Sequence, residues 1–165
     1  MKVWGVTGWK NTGKTGLVER LVTEFTARGL TVSTIKHAHK GFDIDHPGTD
    51  SARHRAAGAS EVILSSATRM ALMQEHRGAE EPTLDALLAR LSPVDLVLVE
   101  GFKAERHPKI ETHRAAAIKD APRAGTDPTI RALASDTAHP DAPVPVFDLN
   151  ATAAIADFIA SELDL

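Results

Sequence analysis

Residues 8–15 read Gly8-Trp9-Lys10-Asn11-Thr12-Gly13-Lys14-Thr15 and satisfy G-x-x-x-x-G-K-[ST] in full. What flanks the octet makes it a constraint on the fold. Residues 3–7 are a short apolar run of strand type, and residues 15–28 carry Leu17, Val18, Leu21, Val22 and Phe25 along one helical face. A strand that turns through two glycines into a helix aims backbone N–H groups and a positive helix end at one point, where an anion binds. Gly8 and Gly13 let the backbone close on phosphate oxygens without obstruction by a Cβ. Lys14 offers a flexible cation to the β- and γ-phosphates, and Thr15 offers a hydroxyl to Mg²⁺. With Trp9, Lys10, Asn11, Thr12 and Gly16 completing the loop and first turn, residues 8–16 form a nucleoside triphosphate site whose base is left open.

The rest of the chain alternates strand-like and helix-like segments. Residues 30–36 alternate apolar and polar as a second strand, and residues 37–48 form an ordered loop with a Pro47-Gly48 turn. Thr49 or Asp50 caps a short helix through Ala57, which Gly58 ends. Residues 61–65 and 69–74 are two strands joined by a tight turn. Thr83 caps a helix carrying Leu84, Leu87, Leu88 and Leu91, and Pro93 blocks its continuation. Residues 94–99 are a nearly continuous apolar strand, the composition expected when helices cover both faces. Residues 113–128 read as a surface excursion, 130–134 and 144–147 as short strands, and Asn150 as the cap of a final helix. With 165 residues and no separating linker, the expectation is one α/β domain over 1–165 on a mostly parallel sheet.

Composition removes several classes of function. There is no cysteine, hence no disulfide framework, thiolate metal site or cysteine nucleophile. A net charge of −3 argues against broad nucleic-acid binding, and the absence of tyrosine argues against a base-stacking platform. The longest aliphatic run, residues 96–99, is far short of the ~20 residues of a membrane span, and the N-terminus shows no signal-peptide pattern. A cytoplasmic location is expected. Residues 36–55 concentrate Lys36, Lys40, Arg53 and Arg55 with His37, His39, His46 and His54, a segment suited to a small anionic ligand.

A magnesium site also needs a carboxylate near the γ-phosphate. Asp95 and Glu100 bracket the apolar strand, about 16 Å apart at ~3.3 Å rise per residue, so only one can be near the phosphates. Ligands of open α/β sheets sit beyond the carboxyl ends of the strands, which selects Glu100. Asp50 is the second metal ligand; a helix cap is its alternative, and Asp43 and Asp45 read as metal ligands or turn acids. His37 and His39 could bind a transition metal or an anion. Lys103, Arg106 and Lys109 form surface charge or a basic rim.

Taken together, these blocks resemble a known family. With the phosphate loop stand Ile35-Lys36-His37-Ala38-His39, Phe42-Asp43-Ile44-Asp45, Pro47-Gly48-Thr49-Asp50-Ser51 and Ala57-Gly58-Ala59. Leu98-Val99-Glu100-Gly101-Phe102-Lys103 and Pro108-Lys109-Ile110-Glu111 follow. Over most of residues 3–160 the chain resembles the molybdopterin-guanine dinucleotide biosynthesis adapter family. The resemblance implies a P-loop NTPase-like three-layer sandwich that binds GTP and Mg²⁺ and hydrolyses GTP weakly. It implies a homodimer that assists the nucleotidyltransferase joining GMP to molybdopterin, with molybdopterin or its guanine dinucleotide as a further partner. Carried over, residues 8–16 hold phosphates, Thr15, Asp50 and Glu100 hold the metal, and Lys14 and Glu100 carry what catalysis there is.

The Val99-Glu100-Gly101 step also resembles dethiobiotin synthetases, which leaves a small ATP-dependent kinase or ligase open, with residues 103–128 as its acceptor pocket. A nickel-chaperone GTPase fits the histidines but usually carries cysteine. The chain lacks N-K-x-D and T-K-x-D, and Asp136 at a strand's end is the substitute acceptor for guanine N1–H and N2–H. No motif places an arginine or glutamine to stabilise transferring charge, so slow hydrolysis is expected.

Overall fold

The computed structural model describes residues 1–38, 41–117 and 121–165; His39 and Lys40 of the basic segment and residues 118–120 of the expected excursion lie outside the described residues. The chain begins with β1 (Lys2–Gly8), α1 (Lys14–Ala27), β2 (Val32–Lys36), α2 (Asp50–Ala56), β3 (Glu61–Ser65), β4 (Met70–Gln74) and α3 (Leu84–Leu88). It continues with β5 (Leu96–Glu100), β6 (Lys109–His113), a 3₁₀ turn (Arg123–Gly125), β7 (Ile130–Ser135), β8 (Val146–Asp148) and α4 (Thr152–Leu163). These elements group into two compact units, residues 1–37 with 84–165, and residues 38–83.

The larger unit is a six-stranded sheet in the order β2-β5-β1-β6-β7-β8, and every neighbouring pair is parallel. Alternation sorts the side chains. Trp4, Val6, Leu96, Leu98, Ile110, Ala132 and Ala134 pack with Leu17, Leu21 and Phe25 of α1 and Ile155 and Ile159 of α4. On the opposite face Val97 and Val99 pack with Leu84 of α3, joined by Val3, Ile35, Leu88 and Phe102. Helices therefore cover both faces, as a sheet with apolar residues on both sides requires.

Strand β6 is absent from the sequence-based expectation. All five of its residues are buried although Lys109, Glu111, Thr112 and His113 are polar. Partners make this tolerable: Lys109 Nζ donates to the Glu105 carbonyl and to Thr129 Oγ1 at 2.8 Å, and Glu111 accepts from Ala124 N at 3.0 Å. Burial holds the Lys109 ammonium below its ordinary range and raises the Glu111 carboxyl. Lys109 is thus no part of a basic rim. The last helix differs too. Ala151 occupies its N-cap without a side-chain bond, while the Asn150 N–H donates to Asp148 at 2.7 Å.

In the smaller unit Thr49, rather than Asp50, caps α2 by accepting from Ala52 N. β3 and β4 form an antiparallel hairpin. Asp43 accepts from Asp45 N at 2.9 Å, and Asp45 accepts from the Thr49 and Ser51 hydroxyls at 2.7 and 3.1 Å. Both acids, with Glu75, pair with Arg55. The turn-acid role accounts for Asp43 and Asp45.

Candidate phosphate-binding site

Parallel pairing brings the carboxyl ends of all six strands to one edge of the sheet. Lys36, Glu100 and Val6 share a row across β2, β5 and β1, and two residues further along Gly8, Thr112 and Ala134 share one across β1, β6 and β7. The loop between β1 and α1 begins at this edge. Gly13 caps α1 with φ 97°, a left-handed conformation that favours glycine, and Asn11 takes φ 64°. Thr12 is fully buried, and its hydroxyl lies 2.8 Å from the Trp9 carbonyl and 2.7 Å from Thr112 Oγ1. A side chain at the loop's centre thus ties it to β6. Gly16 lies in the first turn of α1, and Lys10 is exposed.

Lys14 Nζ donates to the Trp9 carbonyl. Burial lowers the pKa of this ammonium, Glu100 opposes the shift, and Lys103 and Lys36 add to it. Lys103 also stands 4.6 Å over the exposed Trp9 ring, a cation–π contact. The Thr15 hydroxyl donates to Glu100 Oε1 and Oε2 at 3.0 and 3.2 Å, and Lys36 Nζ stands 3.2 Å from Glu100 and 3.3 Å from Thr15. Lys36 therefore stands on the Thr15–Glu100 pair, Lys14 lies within electrostatic reach of Glu100, and Lys103 adds a third cation beside Lys14. Asp95 lies at the other end of β5, where it accepts from Thr31 N and Oγ1 at 2.8 and 2.6 Å. The two acids stand at opposite ends of the strand.

Comparison with known proteins fits this geometry. The family model "Molybdopterin guanine dinucleotide synthesis protein B", MobB, matches residues 3–136. The chain belongs to the MobB family. It is 40% identical over 153 residues to the molybdopterin-guanine dinucleotide biosynthesis adapter protein of Escherichia coli (strain K12), 92% of this chain and 87% of that protein. It is 41% identical over 162 residues to the protein of that name from Haemophilus influenzae, 96% and 88% of the two chains. The crystal structure of a MobB homolog from Bacillus stearothermophilus shares the fold with a TM-score of 0.73 at 28% identity, covering 99% of each chain. The dethiobiotin synthetase-type ligase and the nickel-chaperone GTPase gain no support from these relatives.

Other expected site residues fall in different places. Asp136, exposed just beyond β7, accepts from Ala115 N through Oδ1 at 3.0 Å. Asp50 belongs to the smaller unit, where it is exposed and lies 3.7 Å from Arg53. His37 donates its N–H to the Glu100 carbonyl at 2.9 Å, and its ring packs on Phe102 with centroids 4.7 Å apart. Two residues carried no sequence signal. Arg114 stands beside Gly13, and His113 faces His139 edge-on with ring centroids 4.8 Å apart and Ser135 Oγ near both. Both follow from β6, the strand without an apolar pattern.

Proposed function

We propose that this chain is a GTP-binding adapter of molybdenum cofactor biosynthesis that assists a nucleotidyltransferase in attaching GMP to molybdopterin. The observation that carries the nucleotide-binding part is the meeting of Thr15 and Glu100 beside a phosphate loop. The adapter role rests on the relatives' names.

In this reading residues 8–16 cradle the phosphates with backbone N–H groups, and Lys14 neutralises the β- and γ-phosphates. Thr15 and Glu100 offer hard oxygen donors. Mg²⁺ binds through one or two carboxylates plus substrate phosphates rather than in an all-protein cage, so this pair fits it. When bound, the ion would offset phosphate charge. The family resemblance adds Asp50 to the metal's ligands, a role that magnesium titration of Asp50→Asn would test. Asp136 keeps carboxylate lone pairs beyond its bond to Ala115 N and is the acceptor assigned to guanine N1–H and N2–H.

Hydrolysis by the isolated chain is expected far below the 1–100 s⁻¹ typical of kinases, because no motif supplies a terminal-phosphate arginine or a water-positioning glutamine. The homodimer in this reading has an apolar surface to use: Ile63, Leu64, Met70 and Leu72 of the hairpin are exposed. The deciding experiment measures guanine dinucleotide formation by a molybdenum-cofactor nucleotidyltransferase at limiting GTP, with and without this protein. Stimulation supports the adapter. No stimulation, with fast phosphoryl transfer by this chain to a small acceptor, would make it a free-standing kinase.

A further inference from the structure

We propose that Arg114 is a nucleotide-binding residue at the α-phosphate and ribose end of the phosphate loop. The inference rests on the nucleotide-binding reading and deepens it, by assigning the end of the nucleotide that no sequence motif assigns.

Arg114 directly follows β6. Its Nε and an Nη lie 3.3 and 3.4 Å from where a Cβ on Gly13 would stand, beside Leu149 Cδ2 at 3.2 Å. The guanidinium therefore lies against the residue that caps α1, inside the phosphate cradle of residues 8–16. The side from which it arrives is fixed by strand order. β5 flanks β1 on one side and β6 on the other. Thr15, Glu100, Lys36 and Lys103 gather on the β5 side, the set suited to a metal ion and the terminal phosphates. A nucleotide with its terminal phosphates there must run its α-phosphate and sugar past Gly13 toward β6, where Arg114 stands.

Its state of engagement points the same way. Arg114 is exposed, and among the described residues no carboxylate pairs with its guanidinium. Arg28 is committed to Glu24 and Asp157, Arg55 to Asp43 and Glu75, and Arg131 to Glu162; Arg69, Arg90 and Arg106 share Arg114's lack of a carboxylate among the described residues, and Arg114 is set apart from them by standing against Gly13. The backbone at Arg114, by contrast, is tied down. Its carbonyl accepts from Ala117 N at 3.0 Å, and the next N–H, of Ala115, donates to Asp136 at 3.0 Å. A fixed backbone carrying an uncommitted planar fork of donors suits phosphate recognition, and the positive end of α1 adds to the attraction.

The test is calorimetric titration of the full chain with Mg-GTP and Mg-GDP, for wild type, Arg114→Ala and Arg114→Lys. Arg114→Ala is expected to weaken both nucleotides by the same factor, on the order of ten- to a hundredfold, the range for losing hydrogen bonds to a charged group. Arg114→Lys is expected to recover part of the loss, because it restores the charge without the fork. The thermal midpoint should stay at the wild-type value, since the side chain is exposed. Unchanged affinity of Arg114→Ala for both nucleotides, with wild type binding them, overturns the inference and leaves the nucleotide-binding reading standing. A loss confined to GTP or to turnover also overturns it, by making Arg114 a terminal-phosphate arginine. No binding of either nucleotide by the wild-type chain refutes the nucleotide-binding reading, and this inference with it.

Discussion

The Thr15 hydroxyl donates to both oxygens of the Glu100 carboxylate, at 3.0 and 3.2 Å, across 85 residues of sequence. Parallel pairing of β5 with β1, with Val6 opposite Glu100, makes the meeting possible. Glu100→Gln is therefore expected to weaken magnesium-dependent nucleotide binding or turnover more than Asp95→Asn, whose carboxylate serves Thr31 at the far end of the strand. Asp95→Asn should lower the thermal midpoint slightly and leave magnesium dependence as in wild type. Equal or reversed effects in magnesium titrations would reject the assignment.

Lys14→Ala should abolish triphosphate binding and keep the fold. The side chain leaves the first residue of α1 and reaches back to the Trp9 carbonyl, taking no part in either apolar cluster. Calorimetry and a thermal melt on one preparation test both halves. An affinity within twofold of wild type would sink the role.

Gly5→Ala is expected to destabilise without touching the phosphate loop. A Cβ at Gly5 would stand 2.5 Å from His107 Nε2 and 2.7 Å from Lys109 Cβ, and the latter cannot swing aside. Overpacking of this kind costs about 1–3 kcal/mol, and about 2–4 °C of thermal midpoint per kcal/mol for a chain of this size. A variant melting at the wild-type temperature would show that β1 and β6 can part without cost.

His107 makes stability depend on acid. Both ring nitrogens are buried without a hydrogen-bond partner among the described residues, and burial, with Lys109 nearby, pushes the imidazole from its usual 6.5 down to about 4. The unfolded chain takes up this proton near pH 6.5 while the folded chain resists it to about pH 4. The contribution is therefore present above pH 6.5 and is lost as pH falls from there toward 4. Melting curves of wild type and His107→Leu should diverge in slope across that window, the variant declining less steeply. His139, lowered by burial and by His113, acts in the same direction in both proteins and cancels in the comparison. Parallel curves would remove His107 from the account.

Much of the candidate site was legible as a local arrangement, because the chemistry proposed for it is local. The phosphate loop needs particular residue types in immediate succession, and Glu100 follows from strand length and direction alone. β1, α1, α2 and the β3–β4 hairpin were likewise readable from periodicity and turn residues. β6 was not. Its Lys-Ile-Glu-Thr-His run offers one aliphatic residue, and its burial depends on Glu105, Ala124 and Thr129, partners that no pattern in the strand announces. Arg114 was lost with it, being adjacent to Gly13 only because β6 lies beside β1. Asn150 was expected as a cap because its side chain suits one, but the helix begins one residue later, with Ala151 at the N-cap and no side-chain bond there.

Strand β5 is pinned at both ends, with Asp95 bonded to Thr31 just before it and Glu100 bonded to Thr15 at its close. It works as a gauge block of five residues. Leucine and valine can trade places along it at modest cost, because both faces are apolar. Inserting or deleting one residue would instead turn a valine or a glycine toward Thr15 and carry the carboxylate to the opposite face. The segment can therefore drift in spelling but not in count.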